Sequence, residues 1–252
     1  MYFAILGPLE VRNQHAPVNV GGAKRRALLI ALLANANRIV PTDQLMAWLW
    51  PNGRPPRSAA LVIQAHVSSL RQLLEPSRLP RTLPKVLLTN AAGYLMQLTP
   101  EQLDVLLFES LLLTGNRYLA QDAPHKAAEV LREGLALWRG AALCDVRDLP
   151  AARNEVTRLD ELKLTATVQC IEADLRMQRF LEVIPQLTVL IAEFPYHERF
   201  YAQLMTALSG CGRRAEALAL YQRARRLLAE ELGVEPGPEL RAVEAAILHG
   251  DS

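Results

Sequence analysis

Residues 57–74 read RSAALVIQAHVSSLRQLL and predict a long amphipathic helix. Its apolar side chains recur at the i, i+4, i+7 and i+11 spacing of one helix face, which Ala60 extends backward: Ile63, Val67, Leu70 and Leu74. The opposite face carries small and hydrogen-bonding side chains and no carboxylate: Leu61, Gln64, Ala65, Ser68 and Arg71. Such a face suits polyanionic DNA, although a solvated surface helix has the same pattern.

Charge is divided unevenly along the 252-residue chain. The net formal charge is +2, yet residues 1–99 hold 11 Lys and Arg against 3 Asp and Glu, a net charge of +8. Residues 100–252 hold 17 against 23, a net charge of −6. A compact basic domain is the usual electrostatic footprint of a nucleic-acid binder. The distribution therefore favours DNA binding and predicts two domains, residues 1–99 and 100–252.

The segments around this helix predict two further helices and a β-hairpin. Short alternating runs come first and indicate a small antiparallel sheet: Tyr2–Gly7, Leu9–Arg12 and Pro17–Val20. Helical spacing starts at Ala23, and after an extended link at residues 38–41, Thr42 is the predicted N-cap of a second helix that runs to Trp50. Two strand-like runs then flank a Gly-containing turn: Val86–Thr89 and Tyr94–Leu98. Three helices followed by a hairpin are the plan of a winged helix-turn-helix.

Four segments of this half resemble, in order, the N-terminal domain of the SARP family, actinobacterial activators of antibiotic-biosynthesis clusters: ILGPLEVR, GGAKRRALLIALL, NRIVPTDQLMAWLWPNGRPP and VIQAHVSSLRQLL. That domain is of the OmpR-like winged-helix class, and the match covers essentially all of residues 1–98. The resemblance implies an α+β N-terminal winged helix-turn-helix whose third helix enters the major groove of DNA.

Beyond Thr99 the chain predicts a series of helices: Leu103–Gln121, His125–Trp138, Pro150–Met177, Phe180–Phe194, Glu198–Cys211, Arg213–Leu232 and Pro238–His249. RFLEVI at 179–184 and RRAEAL at 213–218 echo each other at an offset of 34 residues, the tetratricopeptide period. This favours an all-α tetratricopeptide-like domain over a four-helix bundle. LWRGAALCDV at 137–146 and ELGVEPGPEL at 231–240 resemble the bacterial transcriptional activation domain of the same family.

The resemblance also implies which side chains touch DNA. Gln64 can pair bidentately with adenine, Leu61 and Ala65 can meet thymine methyl groups, and Ser68 lies beside them. The remaining contacts, mostly to the phosphate backbone, are assigned to the same helix, the starts of the first two helices, the end of the second helix and the hairpin: Ser69, Arg71, Gln72, Lys24, Arg25, Arg26, Thr42, Trp50 and Asn90. Trp50 fits the core equally well, and Trp48 is expected in the core.

The turn at residues 51–56 separates the second and third helices. In OmpR-like activators this region faces RNA polymerase, so Asn52, Gly53 and Arg54 are expected to face the polymerase. A rigid loop that sets the angle between the helices is an equal alternative.

Nothing in the sequence indicates an enzyme. The five histidines are scattered without a catalytic or metal-binding motif, so neither a cofactor nor a metal is expected, and His66 is interpreted as a structural histidine. Cys144, Cys170 and Cys211 are widely separated and predict buried free thiols of a reducing cytoplasm.

The sequence predicts a location at the cytoplasmic nucleoid rather than in a membrane. No apolar run approaches ~18 residues, and the N-terminus lacks the pattern of a secretion signal. Because the chain ends at Ser252, a forkhead-associated or ATPase domain like those of larger relatives is not expected, nor is control by a phosphopeptide or nucleotide in cis.

These features together predict a pathway-specific transcriptional activator. It would bind direct repeats in double-stranded promoter DNA, as a homodimer at least on DNA, and recruit RNA polymerase holoenzyme. Family members commonly have further arginines in the segment that corresponds to residues 69–72, and often a basic residue where this chain has Asn90-Ala91-Ala92. Fewer cations predict weak binding by a single copy and cooperative binding to repeated sites. They also leave open a protein-interaction scaffold whose winged helix no longer binds DNA.

Overall fold

The structure is a computed structural model that describes residues 1–14, 16–79 and 81–250. Within these residues the strands are β1 (Tyr2–Ala4), β2 (Glu10–Asn13), β3 (Ala16–Pro17), β4 (Ile39–Pro41), β5 (Leu87–Asn90) and β6 (Gly93–Met96). The α-helices are α1 (Ala23–Ala34), α2 (Thr42–Leu49), α3 (Ala59–Leu74), α4 (Asp104–Ala120), α5 (Pro124–Ala136), α6 (Arg153–Arg176), α7 (Phe180–Glu193), α8 (Glu198–Gly210), α9 (Arg214–Leu232) and α10 (Pro238–His249).

The chain forms two compact units. The first comprises Met1–Leu111 and Glu133–Lys163, and the second comprises Leu112–Arg132 and Leu164–Ser252. The predicted domains, residues 1–99 and 100–252, divide the chain at a different place. They remain a prediction about which segments of the chain fold independently.

The first unit holds the predicted winged helix-turn-helix. Helices α1, α2 and α3 pack against one another, and β4, β6 and β5 form an antiparallel sheet in that order. The hairpin of β5 and β6 closes at the Asn90–Gly93 pair. Gly93 has a φ of +155°, and a Cβ at this position would lie 2.1 Å from the carbonyl oxygen of Val40. Only glycine therefore lets β6 pair with β4 here. The predicted fold class, a winged helix-turn-helix followed by a tetratricopeptide-like helical domain, is confirmed.

Two predicted helix starts were wrong. Helix α3 begins at Ala59 rather than Arg57, and Ala59 is buried whereas Ala60 is exposed. The reason is the helical period, since Ala59 precedes Ile63 by four residues and so shares its face. Thr42 is the first residue of α2 instead of its N-cap, a position that Pro41 takes without a side-chain hydrogen bond.

Two extended segments also differ from the prediction. The link at residues 38–41 contains strand β4, whose Ile39 pairs with Leu95 of β6. In contrast, the run predicted at Pro17–Val20 contributes only Pro17 to β3, which pairs with β2 through Arg12. The first difference is not visible in a local pattern, because β4 pairs with a strand far along the chain.

The N-terminal sheet is anchored by residues more than ninety positions away. The buried carboxylate of Asp104 accepts hydrogen bonds from the backbone N–H groups of Ile5, at 2.8 and 2.9 Å, and of Leu6, at 2.8 Å. The backbone N–H of Arg139 donates to the Leu6 carbonyl at 2.8 Å, and that of Leu143 donates to the Ile5 carbonyl at 2.9 Å. These bonds explain why residues 133–163 belong to the first unit.

Helices α7 to α10 form two successive helical hairpins in the second unit. Arg179 and Arg213, which the 34-residue offset aligns, are the N-caps of α7 and α9. Helix α8 packs against α7, α9 and α10 around a core that includes Phe200, Met205 and Tyr221. The first and last residues of α4 to α10 each lie within three residues of the predicted ones. No helix among the described residues is long and apolar enough to cross a membrane.

Of the three cysteines, only Cys170 is buried. Cys211 is half-buried and Cys144 is exposed, so the prediction of buried thiols was wrong for these two. Cys144 follows directly after Leu143, whose backbone joins the N-terminal sheet, and its side chain faces outward.

Candidate nucleic-acid interface

Helix α3 presents an exposed face opposite its buried one. The buried residues are Ala59, Ile63, Val67, Leu70 and Leu74. The predicted base-reading residues are all exposed: Leu61, Gln64, Ala65 and Ser68. Leu61 is 67 % exposed, so its apolar side chain is available to a partner at this face. Gln72 is also exposed, whereas Ser69 is half-buried and its hydroxyl donates to the Ala65 carbonyl at 3.0 Å. The hydroxyl of Ser69 therefore already has an acceptor within its own helix.

Arg71 connects α3 to the hairpin. Its Nε donates to the Leu87 carbonyl at 2.9 Å, and its Nη2 donates to Oγ1 of Thr89 at 2.6 Å. Burial is the main cause that lowers the pKa of the Arg71 guanidinium from its ordinary value. Arg71 was predicted to contact the DNA backbone, but two of its nitrogens hold β5 in place. Its geometry is that of a positioning residue for the hairpin.

An open groove of about 430 Å³ lies between the start of α2, the exposed face of α3 and the hairpin. It brings together Thr42, Gln64 and Asn90, three of the predicted DNA contacts. The Asn90 side chain accepts a hydrogen bond from the Ala92 N–H at 3.1 Å and shapes the hairpin tip. Asp43 also lines the groove, and this carboxylate was not among the predicted residues. Asp43 follows Thr42 directly in the sequence, so its presence beside a predicted DNA contact could have been inferred from the sequence.

The three cations at the start of α1 already have partners within the first unit. The Nζ of Lys24 lies 4.5 Å from the centroid of the Trp50 ring. The Nη1 of Arg25 donates to the Val20 carbonyl at 3.4 Å, and Arg26 is paired with Asp145. Lys24 is the exposed member of the cluster, so it is the one best placed for a phosphate. Sequence reasoning missed the Asp145 partner because it lies 119 residues away.

Trp48, Trp50 and His66 lie close to the helix core. Trp48 is 2 % exposed and belongs to the core, as predicted. Trp50 is half-buried beneath Lys24. Burial lowers the pKa of His66, and the nearby charges of Arg25 and Lys24 lower it further. Both effects favour the neutral form of His66, which adds little positive charge beside the exposed face of α3.

The predicted polymerase-facing residues form an exposed turn. Asn52, Gly53 and Arg54 are all exposed, and the Gly53 N–H donates to the Trp50 carbonyl at 3.1 Å. Gly53 has a φ of +70°. Within residues 1–14, 16–79 and 81–250, no group of three potential metal ligands comes together.

The fold and the exposed helix face define a winged helix-turn-helix protein with a tetratricopeptide-like helical domain. Residues 19–96 match the family model described as transcriptional regulatory protein, C terminal. Residues 103–248 match the model of the bacterial transcriptional activator domain. With both domains present in this order, the chain belongs to the SARP family of transcriptional regulators.

Individual relatives share the whole length of the chain. The regulatory protein DnrI of Streptomyces peucetius is 34 % identical over 254 aligned residues, which cover 100 % of this chain and 93 % of DnrI. The regulatory protein AfsR of Streptomyces griseus is 35 % identical over 99 % of this chain, which spans only 24 % of AfsR. A solved structure of Mycobacterium tuberculosis EmbR in complex with a low affinity phosphopeptide matches with a TM-score of 0.91 and 35 % identity. That match covers 99 % of this chain and 65 % of the EmbR chain.

Proposed function

We propose that this chain is a sequence-specific DNA-binding transcriptional activator that regulates a pathway of antibiotic or secondary-metabolite biosynthesis. The observation that carries the proposal is the exposed, carboxylate-free face of α3 from Leu61 to Ser68, with Gln64 opening into the groove beside the hairpin. Membership of the SARP family of transcriptional regulators supports it. Neither an enzymatic activity nor a cofactor is part of the proposal, and the place of action is the cytoplasmic nucleoid.

Specificity would rest on Gln64 and on apolar contacts. A glutamine side chain can bond both N6 and N7 of adenine in the major groove, and exposed Leu61 and Ala65 suit thymine methyl groups. Arg26 and Arg71 are held by protein partners, which leaves fewer cations for phosphates. Binding of two copies to direct repeats, as a homodimer at least on DNA, would compensate for the weak binding of one copy.

Activation would follow from contact with RNA polymerase holoenzyme. The exposed turn at Asn52, Gly53 and Arg54 is one surface for this contact, and the helical unit offers a second. The alternative is a rigid turn that only sets the angle of α3. In that case Arg54→Ala should leave transcription in vitro unchanged, whereas loss of a polymerase contact should reduce it.

The proposal is tested by footprinting and by anisotropy with the full chain on promoter fragments upstream of neighbouring operons. The logarithm of the binding constant should fall linearly with the logarithm of salt concentration, with a slope of about −0.9 per neutralised phosphate. Gln64→Ala should reduce the preference for one base pair by about 1–3 kcal/mol while it leaves binding to random DNA unchanged. Gln186→Ala, at an exposed glutamine of α7, is the matched control.

The second candidate function is a protein-interaction scaffold without DNA binding. The engaged arginines and the carboxylate of Asp43 in the groove favour it. It predicts no protected promoter site and no salt-dependent shift. A footprint that Gln64→Ala alters would exclude the scaffold, and binding that is flat from low to high salt would exclude the activator.

A further inference from the structure

The start of α1 binds a carboxylate that comes from a distant part of the same chain. Helix α1 begins after Gly22, which provides no side-chain cap, and its first turn contains no acidic residue. That turn instead carries three cations, Lys24, Arg25 and Arg26. A helix N-terminus and adjacent cations together favour a negatively charged group. Asp145 supplies this group, because its Oδ1 is paired with Nη2 of Arg26.

Asp145 is held at this position by a second bond. Its other carboxylate oxygen, Oδ2, accepts the backbone N–H of Leu9 at 2.7 Å. The bond to Arg26 is the one that a competing anion can replace. The side chains of Arg26 and Asp145 are 37 % and 21 % exposed, so solvent and salt screen their attraction. A DNA phosphate can therefore compete with the carboxylate for the guanidinium.

The start of α1 lies near the helix that forms the candidate nucleic-acid interface. After burial, the charges of Arg25 and Lys24 are the causes that lower the pKa of His66 on α3. His66 follows Ala65, one of the predicted base-reading residues. Arg26 lies in the same turn of α1 as the other two cations. In a complex with DNA, phosphates that flank α3 are thus the anions that its guanidinium would meet.

We propose that Asp145 is an intramolecular substitute for a DNA phosphate, which keeps Arg26 away from DNA and limits affinity for DNA of any sequence. The inference rests on the proposed DNA binding by α3. Asp145 lies in the segment LWRGAALCDV, within residues 103–248, which match the bacterial transcriptional activator domain. A residue outside the predicted DNA-binding domain of residues 1–99 thus sets the strength of DNA binding.

The experiment measures the anisotropy of a labelled promoter fragment and of a mixed-sequence duplex with the full chain, from low to high salt. Asp145→Asn keeps an oxygen that can accept the Leu9 N–H but removes the charge that holds Arg26. At low salt, affinity for both duplexes should rise at least about threefold, because Arg26 becomes free for a phosphate. The salt slope of binding should become steeper by about 0.9, since one further phosphate is neutralised.

Two further variants separate this effect from a general change of charge. Arg26→Gln combined with Asp145→Asn should bind within about twofold of the starting chain, because both members of a neutral pair are removed. Glu161→Gln, at an exposed residue of α6, removes one carboxylate elsewhere and is the matched control. It should change affinity by less than about twofold.

Arg26→Gln alone gives a test that does not require Asp145→Asn to fold. It should leave the salt slope unchanged, because Arg26 contacts Asp145 and not DNA, whereas loss of an existing phosphate contact would flatten the slope by about 0.9. Such a flatter slope would overturn the proposal.

Other results would also overturn the proposal. These are an unchanged salt slope in a folded Asp145→Asn variant, a gain that persists in the double variant, and an equal gain in Glu161→Gln. If neither the starting chain nor any variant binds DNA, the proposed function fails together with this inference. If the starting chain binds DNA and Asp145→Asn leaves the slope unchanged, this inference alone fails.

Discussion

Some side chains near α3 are exposed to solvent, whereas others form hydrogen bonds that fix the position of the hairpin. Gln64 and Leu61 are exposed on α3. In contrast, two nitrogens of Arg71 donate hydrogen bonds to the Leu87 carbonyl and to Thr89. The planar guanidinium donates to the two acceptors from two separate nitrogens held in a fixed geometry. Arg71 thus fixes the position of the hairpin beside the exposed face of α3.

Arg71→Ala is expected to lower the free energy of unfolding by about 1–3 kcal/mol, because two hydrogen bonds from a charged group are lost. DNA affinity should fall uniformly across sequences as the hairpin loosens. The salt slope of binding decides the mechanism, since loss of a phosphate contact would reduce it by about 0.9 and loss of a positioning residue would not. Urea denaturation and anisotropy are the measurements, and Thr89→Val, which removes one of the two acceptors, should cause a smaller loss. Arg71→Ala with unchanged stability would contradict the positioning role.

The three thiols are expected to react at very different rates. Burial raises the pKa of Cys170 to about 11. At about pH 8 only ~0.1 % of that thiol is then ionised, and the thiolate is the reactive form. Titration of the native chain with an aromatic disulfide should show a fast phase from exposed Cys144, which Cys144→Ser removes. Cys170→Ser should leave this phase intact, and its loss in that variant would contradict the assignment. Reaction of Cys170 should become faster as pH rises towards about 11.

At the scale of elements, both strands of the hairpin are fixed by contacts with the three-helix part of the first unit. Arg71 fastens β5, and β6 pairs with β4, which leads directly into α2. The side chain of Asn37 bonds both the N–H and the carbonyl of Leu98, each at 2.9 Å, and fixes the chain beyond β6. The groove that contains Gln64 depends on this arrangement, because the start of α2 and the hairpin form its other walls.

Gly93→Ala should destabilise the first unit by about 3 kcal/mol or more, since both an unfavourable φ and a backbone clash are introduced. The new Cβ would lie 2.1 Å from the Val40 carbonyl oxygen, so β4 and β6 would have to separate. Thermal unfolding measures the loss. Gly53→Ala is the control, because Gly53 also has a positive φ of +70° but has open space around it. It should cost about 1 kcal/mol, and equal losses in the two variants would contradict the clash.

At the scale of the whole molecule, the first unit does not end at the predicted boundary of residue 99. Asp104 accepts the N–H groups of Ile5 and Leu6, and Arg139 and Leu143 bond the same stretch through their backbones. Burial raises the pKa of Asp104, and the donated N–H groups oppose that rise. The segment LWRGAALCDV, which carried part of the family resemblance, is thus part of the structure of the first unit.

A fragment of residues 1–99 is expected to be less stable than a fragment of residues 1–163. The shorter fragment lacks Asp104, Arg139 and Leu143, so the N–H groups of Ile5 and Leu6 lose partners. Hydrogen exchange at these two amides should be faster in it, and its melting temperature should be lower. Equal protection in both fragments would instead support an independent domain of residues 1–99.

In the full chain, Asp104→Asn should lower the free energy of unfolding by about 2 kcal/mol, because an amide nitrogen cannot accept the buried N–H groups. Urea denaturation measures this loss. Asp122→Asn is the matched control, because the Asp122 side chain is 91 % exposed. It should be close to neutral, and equal effects of the two changes would argue against the buried carboxylate as an anchor.

Local pattern alone was enough for the helices, the hairpin, the exposed face of α3 and the helical repeat, because a side-chain period of 3.6 or 2 is fixed by the backbone. It could not identify partners that are distant in sequence. Arg26 meets Asp145, Arg71 meets Thr89, and Asp104 meets Ile5 only after the chain has folded. The sequence by itself determined the buried face of α3 from Ile63 to Leu74 and the exposed positions of Leu61, Gln64, Ala65 and Ser68, but not the exposure of Ala60 or the partners of Arg71. The tertiary structure decided which cations remain free, because a charge is neutralised by whatever folding brings within about 4 Å of it.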